Sequence, residues 1–268
     1  MSELELTRER GIYKYFNKSN LFSLILMSVA AVLIVVTAII FEAEPLNVLP
    51  LMVSLVVGLL QAGANRYANL VGGINAIVYA IVYFSFGLYG MAFQALLVSS
   101  PFQLVTFVRW SKNKYKSSTK FRRLSKKQLI IVICAVAVAF VLLYLALTAA
   151  NSSYRFLDNA ITIAGLLSST LTLLSFIEYS WLAPILCVLD WSLGLSMALD
   201  DPSRITYLIY STYSFICIVR QFFSVMRIYK EQKALEADEC RSDDLPPDAA
   251  MEKMIASSST GTTADNAQ

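Results

Sequence analysis

Apolar residues run along this chain in eight long blocks, at 21–41, 46–64, 70–88, 91–108, 129–150, 157–177, 181–199 and 205–225. Each is close to the roughly 20 residues that a helix needs to cross the hydrocarbon core of a bilayer. The breaks between blocks carry Pro45, Arg66, Tyr89-Gly90, a basic run after Trp110, Asn151-Ser152-Ser153, Glu178 and Asp200-Asp201-Pro202. Backbone polar groups in lipid must be paired within their own segment, so the blocks predict helices. The alternating strands of a barrel are missing. The pattern predicts an all-α integral membrane protein with eight transmembrane helices. The first block lacks a small-residue cleavage site of the usual kind and runs into seven more, so it reads as a span and not as a secretory signal.

Composition agrees, with 57% hydrophobic and 15% charged residues, against about 25% charged in an average soluble domain. The basic residues sort by side. With the N-terminus in the cytoplasm, all of the 22 Lys and Arg except Arg155 and Arg204 fall in cytoplasmic segments or in the ends of spans beside them. That asymmetry sets orientation, and it predicts a multi-pass protein of the cell (plasma) membrane with both termini cytoplasmic. The run 112–127 then reads as an anchor against anionic membrane lipid; no nucleic acid is expected as a partner. A charged lead covers 1–20 and the transmembrane domain 21–230. The tail, 231–268, is polar, carries Pro246-Pro247 and is expected to be disordered.

The blocks after the basic run repeat the spacing of those before it. A displacement of 112 positions sets Asn69 against Trp181, Tyr79 against Trp191, Tyr89 against Asp201, Pro101 against Tyr213 and Trp110 against Phe222. Identity is low, so the match is one of lengths and of polar or aromatic positions. It predicts an extra N-terminal helix (21–41), a three-helix unit (46–110), a linker helix (129–150) and a second three-helix unit (157–226). An odd linker between them makes the units parallel repeats, a layout that puts a substrate site near the membrane midplane between the two. Gly58, Gly72, Gly73, Gly165 and Gly194 read as places of close helix packing.

Polar residues inside the blocks are the candidates for binding. In the third, Asn75, Tyr79 and Tyr83 recur every four residues along one helix face. In the fourth, Gln94, Ser99, Ser100 and Gln103 surround Pro101, which removes a helix hydrogen bond and predicts a kink. The seventh holds Trp181 and the pair Asp190-Trp191, and the eighth Tyr207, Tyr210 and Tyr213. Single Ser and Thr residues commonly bond back to their own helix. Trp181 and Tyr207 also suit interfacial belts, and Arg220 lies near enough to a helix end to snorkel. Asp190 stands apart, because a carboxylate at mid-span is costly and marks a site by default. The substrate-binding set is taken as Asn75, Tyr79, Gln94, Gln103, Trp181, Asp190, Trp191, Tyr210 and Tyr213.

Amides, hydroxyls, flat rings and one acid suit a small planar, hydroxylated molecule, neutral or cationic. No embedded cluster of Lys or Arg is present to receive a phosphate, which favours a nucleoside over a nucleotide. Histidine is absent, which removes the commonest general base and the usual zinc sites. One embedded carboxylate at mid-span makes no acid pair. The chain therefore reads as no enzyme, with no cofactor and no metal. The four cysteines read as small apolar residues.

Over roughly 46–228 the chain resembles the PnuC family of vitamin and nucleoside transporters, whose best-known substrate is nicotinamide riboside. The resemblance rests on Asn65-Arg66-Tyr67-Ala68-Asn69-Leu70-Val71-Gly72-Gly73, Tyr79-Ala80, Leu88-Tyr89-Gly90, Gln94, Pro101-Phe102-Gln103 and Trp110, then on Leu157-Asp158 and Glu178 before Trp181. It implies a fold similar to the SWEET sugar transporters with full-length duplication, a homotrimer, and facilitated diffusion made one-way by a cytoplasmic kinase that phosphorylates the substrate. Nicotinamide riboside members carry Trp-x-x-Trp-x-x-x-Asn in the seventh span. Here those places are read as Trp181, Pro184 and Val188. The first aromatic is kept, while Asp190 and Trp191 are the candidates to stand in for the rest. Thiamine, riboflavin and deoxynucleosides stay open as substrates, and the acid suits a cationic ring better than neutral riboflavin. A vitamin-binding subunit of an energy-coupled uptake complex is the competing reading, and the eight-span duplicated layout argues against it.

Overall fold

The structure is a computed structural model that describes residues 18–115 and 118–243. Among the described residues, eight helices are long and apolar enough to cross a membrane. They are α1 (Lys18–Ile40), α2 (Pro45–Ala62), α3 (Tyr67–Ser85), a fourth span in pieces, α6 (Lys126–Ala149), α7 (Arg155–Leu173), α8 (Tyr179–Asp200) and α9 (Ile205–Asp243). The fourth span comprises α4 (Tyr89–Gln94), a π turn (Ala95–Ser99) and α5 (Ser100–Lys112). Between α5 and α6 lies a two-residue antiparallel ribbon, β1 (Lys114–Tyr115) and β2 (Ser118–Thr119), pairing Tyr115 with Ser118.

The boundaries follow local chemistry. Pro45 opens α2 at a position where its missing N–H costs nothing. Ser125 caps α6 and Gln128 caps it back, each through the other's backbone N–H. The kink predicted at Pro101 takes the form of the π turn: the Ser100 N–H reaches back to the Ala95 carbonyl, so the proline ring meets no regular turn. Gly87 turns α3 into α4 at φ +70°, a left-handed conformation that glycine adopts without strain.

Among the described residues, those up to 226 form one compact unit and 227–243 belong to a second. In the first, α1 packs through Ala30 and Ile34 against Leu51 and Leu55 of α2 and Tyr213 and Cys217 of α9. Arg220 of α9 is hydrogen-bonded to Ser23 of α1 and lies 5.5 Å from the Phe22 ring centroid. The expected snorkelling arginine instead ties two helices. In α6 only Leu147 is buried, so this helix lies at the periphery.

The second unit corrects the predicted tail. Helix α9 continues to Asp243, so 231–243 is helical where disorder is expected. The stretch Glu231-Gln232-Lys233-Ala234-Leu235-Glu236-Ala237 is made of strong helix formers, and that preference outweighs its polarity. The rest of the predicted tail, 244–268, and most of the predicted lead lie outside the described residues.

One end of the helix bundle is sealed. Leu88, Met91, Ile161, Leu193 and Met197 form a buried apolar cluster there. Beside it Asp158, fully buried, accepts from the backbone N–H groups of Gly90 (3.0 Å) and Met91 (2.8 Å) and from Ser152 Oγ (2.5 Å). A carboxylate thus caps the head of the fourth span from the sixth, where negative charge complements the helix dipole. This is a second embedded acid, which the emphasis on Asp190 passes over. Further out, Tyr154 bonds Asp200, and Arg204 pairs with Asp201 (3.2 Å) while lying 4.7 Å from the Phe86 ring. Hydrogen bonds from Ser203, followed by the charge of Arg204, hold the Asp201 carboxyl below its ordinary range.

Candidate functional site

Between α2–α5 on one side and α7–α9 on the other lies a cavity of about 310 Å³, at the small end of the range for small-molecule sites. It begins at the α2–α3 connection, where Gln61, Ala64, Asn65 and Asn69 line it, and ends against Tyr83, Met91 and Tyr207 beneath the apolar seal. Among the described residues no Lys or Arg lines it, and its one acid is Asp190.

The acid sits in an aromatic corner. Tyr207 donates to Asp190 Oδ1 at 3.0 Å, and the hydroxyls of Tyr83 and Tyr207 are 3.0 Å apart. A phenol has one proton, so with Tyr207 committed to the carboxylate it is Tyr83 that donates to Tyr207. Tyr79 stacks on Tyr83 with centroids 5.2 Å apart at 22°, and Tyr210 meets Tyr207 edge-on at 6.3 Å. Four phenol rings and one carboxylate therefore face a common space. The arrangement offers π faces and negative charge, the combination that attracts a cation.

Toward the α2–α3 end the lining turns to amides. Gln103 fits because Gly72 has no side chain: a Cβ there would lie 2.4 Å from Gln103 Oε1. Gln94 crosses the π turn to donate to Ser99 Oγ at 2.9 Å and rests against Gly165, where a Cβ would come within 3.0 Å of its Nε2. The Tyr79 hydroxyl, beside Ser54, and the Tyr179 hydroxyl and Gln221 Oε1, beside one another, are buried without a well-formed hydrogen bond. Buried polar atoms are rarely left so, and these three lie on the cavity wall.

Of the nine predicted site residues, the structure brings Tyr79, Gln94, Gln103, Asp190 and Tyr210 together on the cavity wall. It places four elsewhere. Asn75 is buried against α2, donating to the Pro50 carbonyl (2.9 Å) and Ser54 Oγ (2.8 Å). A four-residue step advances about 40° around a helix of 3.6 residues per turn, enough to turn Asn75 out of the cavity that Tyr79 and Tyr83 face. Tyr213 donates to the Leu55 carbonyl at 2.7 Å. Trp191 lies on the outer surface, bonded to Thr212. Trp181 is 58% exposed, sharing an outward stripe with Ile185 and Val188.

That stripe turns Trp181 and Val188, two of the places read as the seventh-span motif, away from the cavity. The cavity face of α8 is Tyr179, Ala183, Leu186, Cys187 and Asp190. On it Ala183, Leu186 and Asp190 have the same three- and four-residue spacing. On the cavity wall Gln61 and Thr172, Ala68 and Tyr179, Tyr79 and Asp190, Ser99 and Tyr210, Gln103 and Ser214, and Trp110 and Gln221 are each 111 positions apart. A displacement of 112 lands one residue, or about 100° of helix, further on, and so pairs Tyr79 with the outward Trp191. Sequence reasoning also missed Gln61, Asn65, Asn69, Tyr179 and Gln221, because it weighted mid-span positions over amides at span ends.

Residues 44–224 match the family model described as nicotinamide mononucleotide transporter. A solved structure, titled as the crystal structure of the vitamin B3 transporter PnuC, superposes with a TM-score of 0.66 at 19% identity, covering 78% of this chain and 92% of that one. No curated protein sequence matches the chain.

Proposed function

The chain belongs to the nicotinamide mononucleotide transporter family, multi-pass membrane transporters and not enzymes, and from that premise we propose that it takes up a vitamin or nucleoside bearing a cationic ring. Nicotinamide riboside is the leading substrate. The observation that carries this is Asp190 among Tyr79, Tyr83, Tyr207 and Tyr210 in a cavity with no basic residue among its described lining. A pyridinium ring gains from the carboxylate and the π faces. A phosphate would enter without a cation to meet it, at the desolvation cost of an unpaired charge, so the nucleoside is preferred to the nucleotide.

The carrier works by facilitated diffusion, alternating access by rocking the two three-helix units about this site. Its state here is sealed on the side of Leu88, Met91 and Ile161 and reaches the α2–α3 connection on the other. The distribution of Lys and Arg supports an orientation in the cell membrane with the latter side, and both termini, facing the cytoplasm. A cytoplasmic kinase makes the flux one-way, because the phosphorylated product does not re-enter a cavity of this charge. By family resemblance the carrier is a homotrimer. Flux of labelled nicotinamide riboside, thiamine, riboflavin and deoxynucleosides into liposomes holding the purified protein tests the reading. Saturable uptake of a cationic ring that survives collapse of proton and sodium gradients is expected; absence of saturable flux for all four overturns it.

A further inference from the structure

A second cavity lies apart from the transport path. It is an apolar groove of about 680 Å³ on the outer surface between α6, α7 and α8, running along α6 from Leu129 through Ala137 to Phe140, with Leu124, Glu178 and Trp181 at one end. At the Phe140 end Asn159 of α7 donates to the Phe140 carbonyl at 3.1 Å, and Phe140 meets Phe156 edge-on at 6.1 Å. At the other end the Leu124 N–H donates to Glu178 Oε1 at 3.1 Å, tying the approach to α6 to the connection between α7 and α8.

Three features identify the occupant. From Leu129 to Phe140 the groove runs roughly 16 Å at 1.5 Å per residue, about one leaflet of a hydrocarbon core roughly 30 Å thick. The chain at the Leu124 end, from Arg123 into the first turn of α6, carries the bases Arg123, Lys126 and Lys127. Arg123 stays 76% exposed while pairing with Glu178 at 3.8 Å, so the mouth keeps an excess of positive charge. Trp181, at the same end, packs edge-on against Phe222 at 4.9 Å, and its indole N–H makes no hydrogen bond to the described residues. Interfacial tryptophans sit at headgroup depth, where that donor has partners.

We propose that this groove holds one acyl chain of an anionic phospholipid from the leaflet on the basic side, with its phosphate between Arg123, Lys126 and Lys127 and within reach of the Trp181 indole. The site differs from a general attraction of basic loops to that leaflet in having a fixed slot for the chain and a defined headgroup position. The lipid would fill the space between the linker helix and the α7–α8 pair.

Native mass spectrometry of the detergent-solubilised protein, loaded with equal phosphatidylglycerol and phosphatidylcholine of matched chains, tests this. The unmodified protein should retain phosphatidylglycerol in preference, and raising the salt should erode that preference. Combined Arg123→Ala, Lys126→Ala and Lys127→Ala should cut the preference by about tenfold or more, while leaving chain binding. Ala137→Trp fills the slot and should abolish retention of both lipids, and Ile131→Trp, which faces outward on the same helix, should not. Equal retention of the two lipids by the unmodified protein overturns the proposal. So does retention unaffected by Ala137→Trp, or a change of oligomeric state with Ala137→Trp in a protein that carries no lipid, which would make the groove a contact between copies. If the triple variant does not fold, the salt dependence and the two tryptophan variants decide alone.

Discussion

Tyr207 donates a 3.0 Å hydrogen bond to Asp190 Oδ1, so the one acid on the cavity wall is oriented by a side chain from the neighbouring helix. That bond holds the carboxylate while leaving its second oxygen available, and it makes Asp190 the residue whose charge can be removed with least disturbance. Asp190→Asn keeps an acceptor for Tyr207. A unit charge at a few ångströms is worth about 4 kcal/mol at an effective dielectric of 20. Affinity for nicotinamide riboside or thiamine should fall tenfold or more, while that for neutral riboflavin, if bound at all, and the melting temperature change little. Titration calorimetry on both proteins checks this; equal affinities would remove Asp190 from the site.

The Tyr79 hydroxyl, on the cavity wall, has no well-formed hydrogen bond to the described residues. Tyr79→Phe should therefore leave stability within about 0.5 kcal/mol of the parent, as substitutions that break no partner do. A loss of affinity in this variant would assign the hydroxyl to the ligand. Tyr79→Ala removes the ring that stacks on Tyr83 and should weaken binding further by about 1 kcal/mol, the order of an aromatic pair.

Trp181 faces outward, not into the cavity. Trp181→Leu should change substrate affinity less than twofold, whereas Leu186→Trp, at a cavity position, should alter it substantially by adding a ring to the wall. Affinity measured for the two variants side by side separates the structural register from the one read along the sequence. A large loss from Trp181→Leu alone would restore the sequence register.

Asp158 accepts three hydrogen bonds at the sealed end. Asp158→Asn sets an amide N–H against a donor and leaves buried N–H groups short of an acceptor. The expected cost is on the order of 3 kcal/mol, read as a lower melting temperature, with the ligand affinity of the surviving folded fraction unchanged. An unaltered melting temperature would show that this contact does not hold the seal.

At Gly58 an added Cβ would lie 2.8 Å from Tyr213 Cε1, a ring fixed by its bond to Leu55. Gly58→Ala should destabilise by about 1–3 kcal/mol through overpacking. Gly63→Ala, where the nearest atom is 3.7 Å away, is the matched control for thermal melting.

The sequence by itself determined the eight spans and the family. Span length and the cost of unpaired backbone in lipid leave a chain of this pattern few alternatives, and Asp190 was marked by the cost of a carboxylate in a bilayer. It did not determine which way a side chain points. An apolar membrane helix faces lipid on one side and other helices on the other with residues of much the same character, so hydrophobic periodicity gives little angular reference. A displacement of 112 therefore pairs the inward Tyr79 with the outward Trp191, and nothing in the sequence marks the difference. The same blindness put Trp181 and Asn75 in the site. Packing of α8 and α3 against their neighbours decided those angles: it turned Ala183, Leu186 and Asp190 inward, gave Asn75 to Pro50 and Ser54, and left Trp181 facing outward, because contacts distant in sequence, not the order of residues, fix the rotation of each helix about its axis.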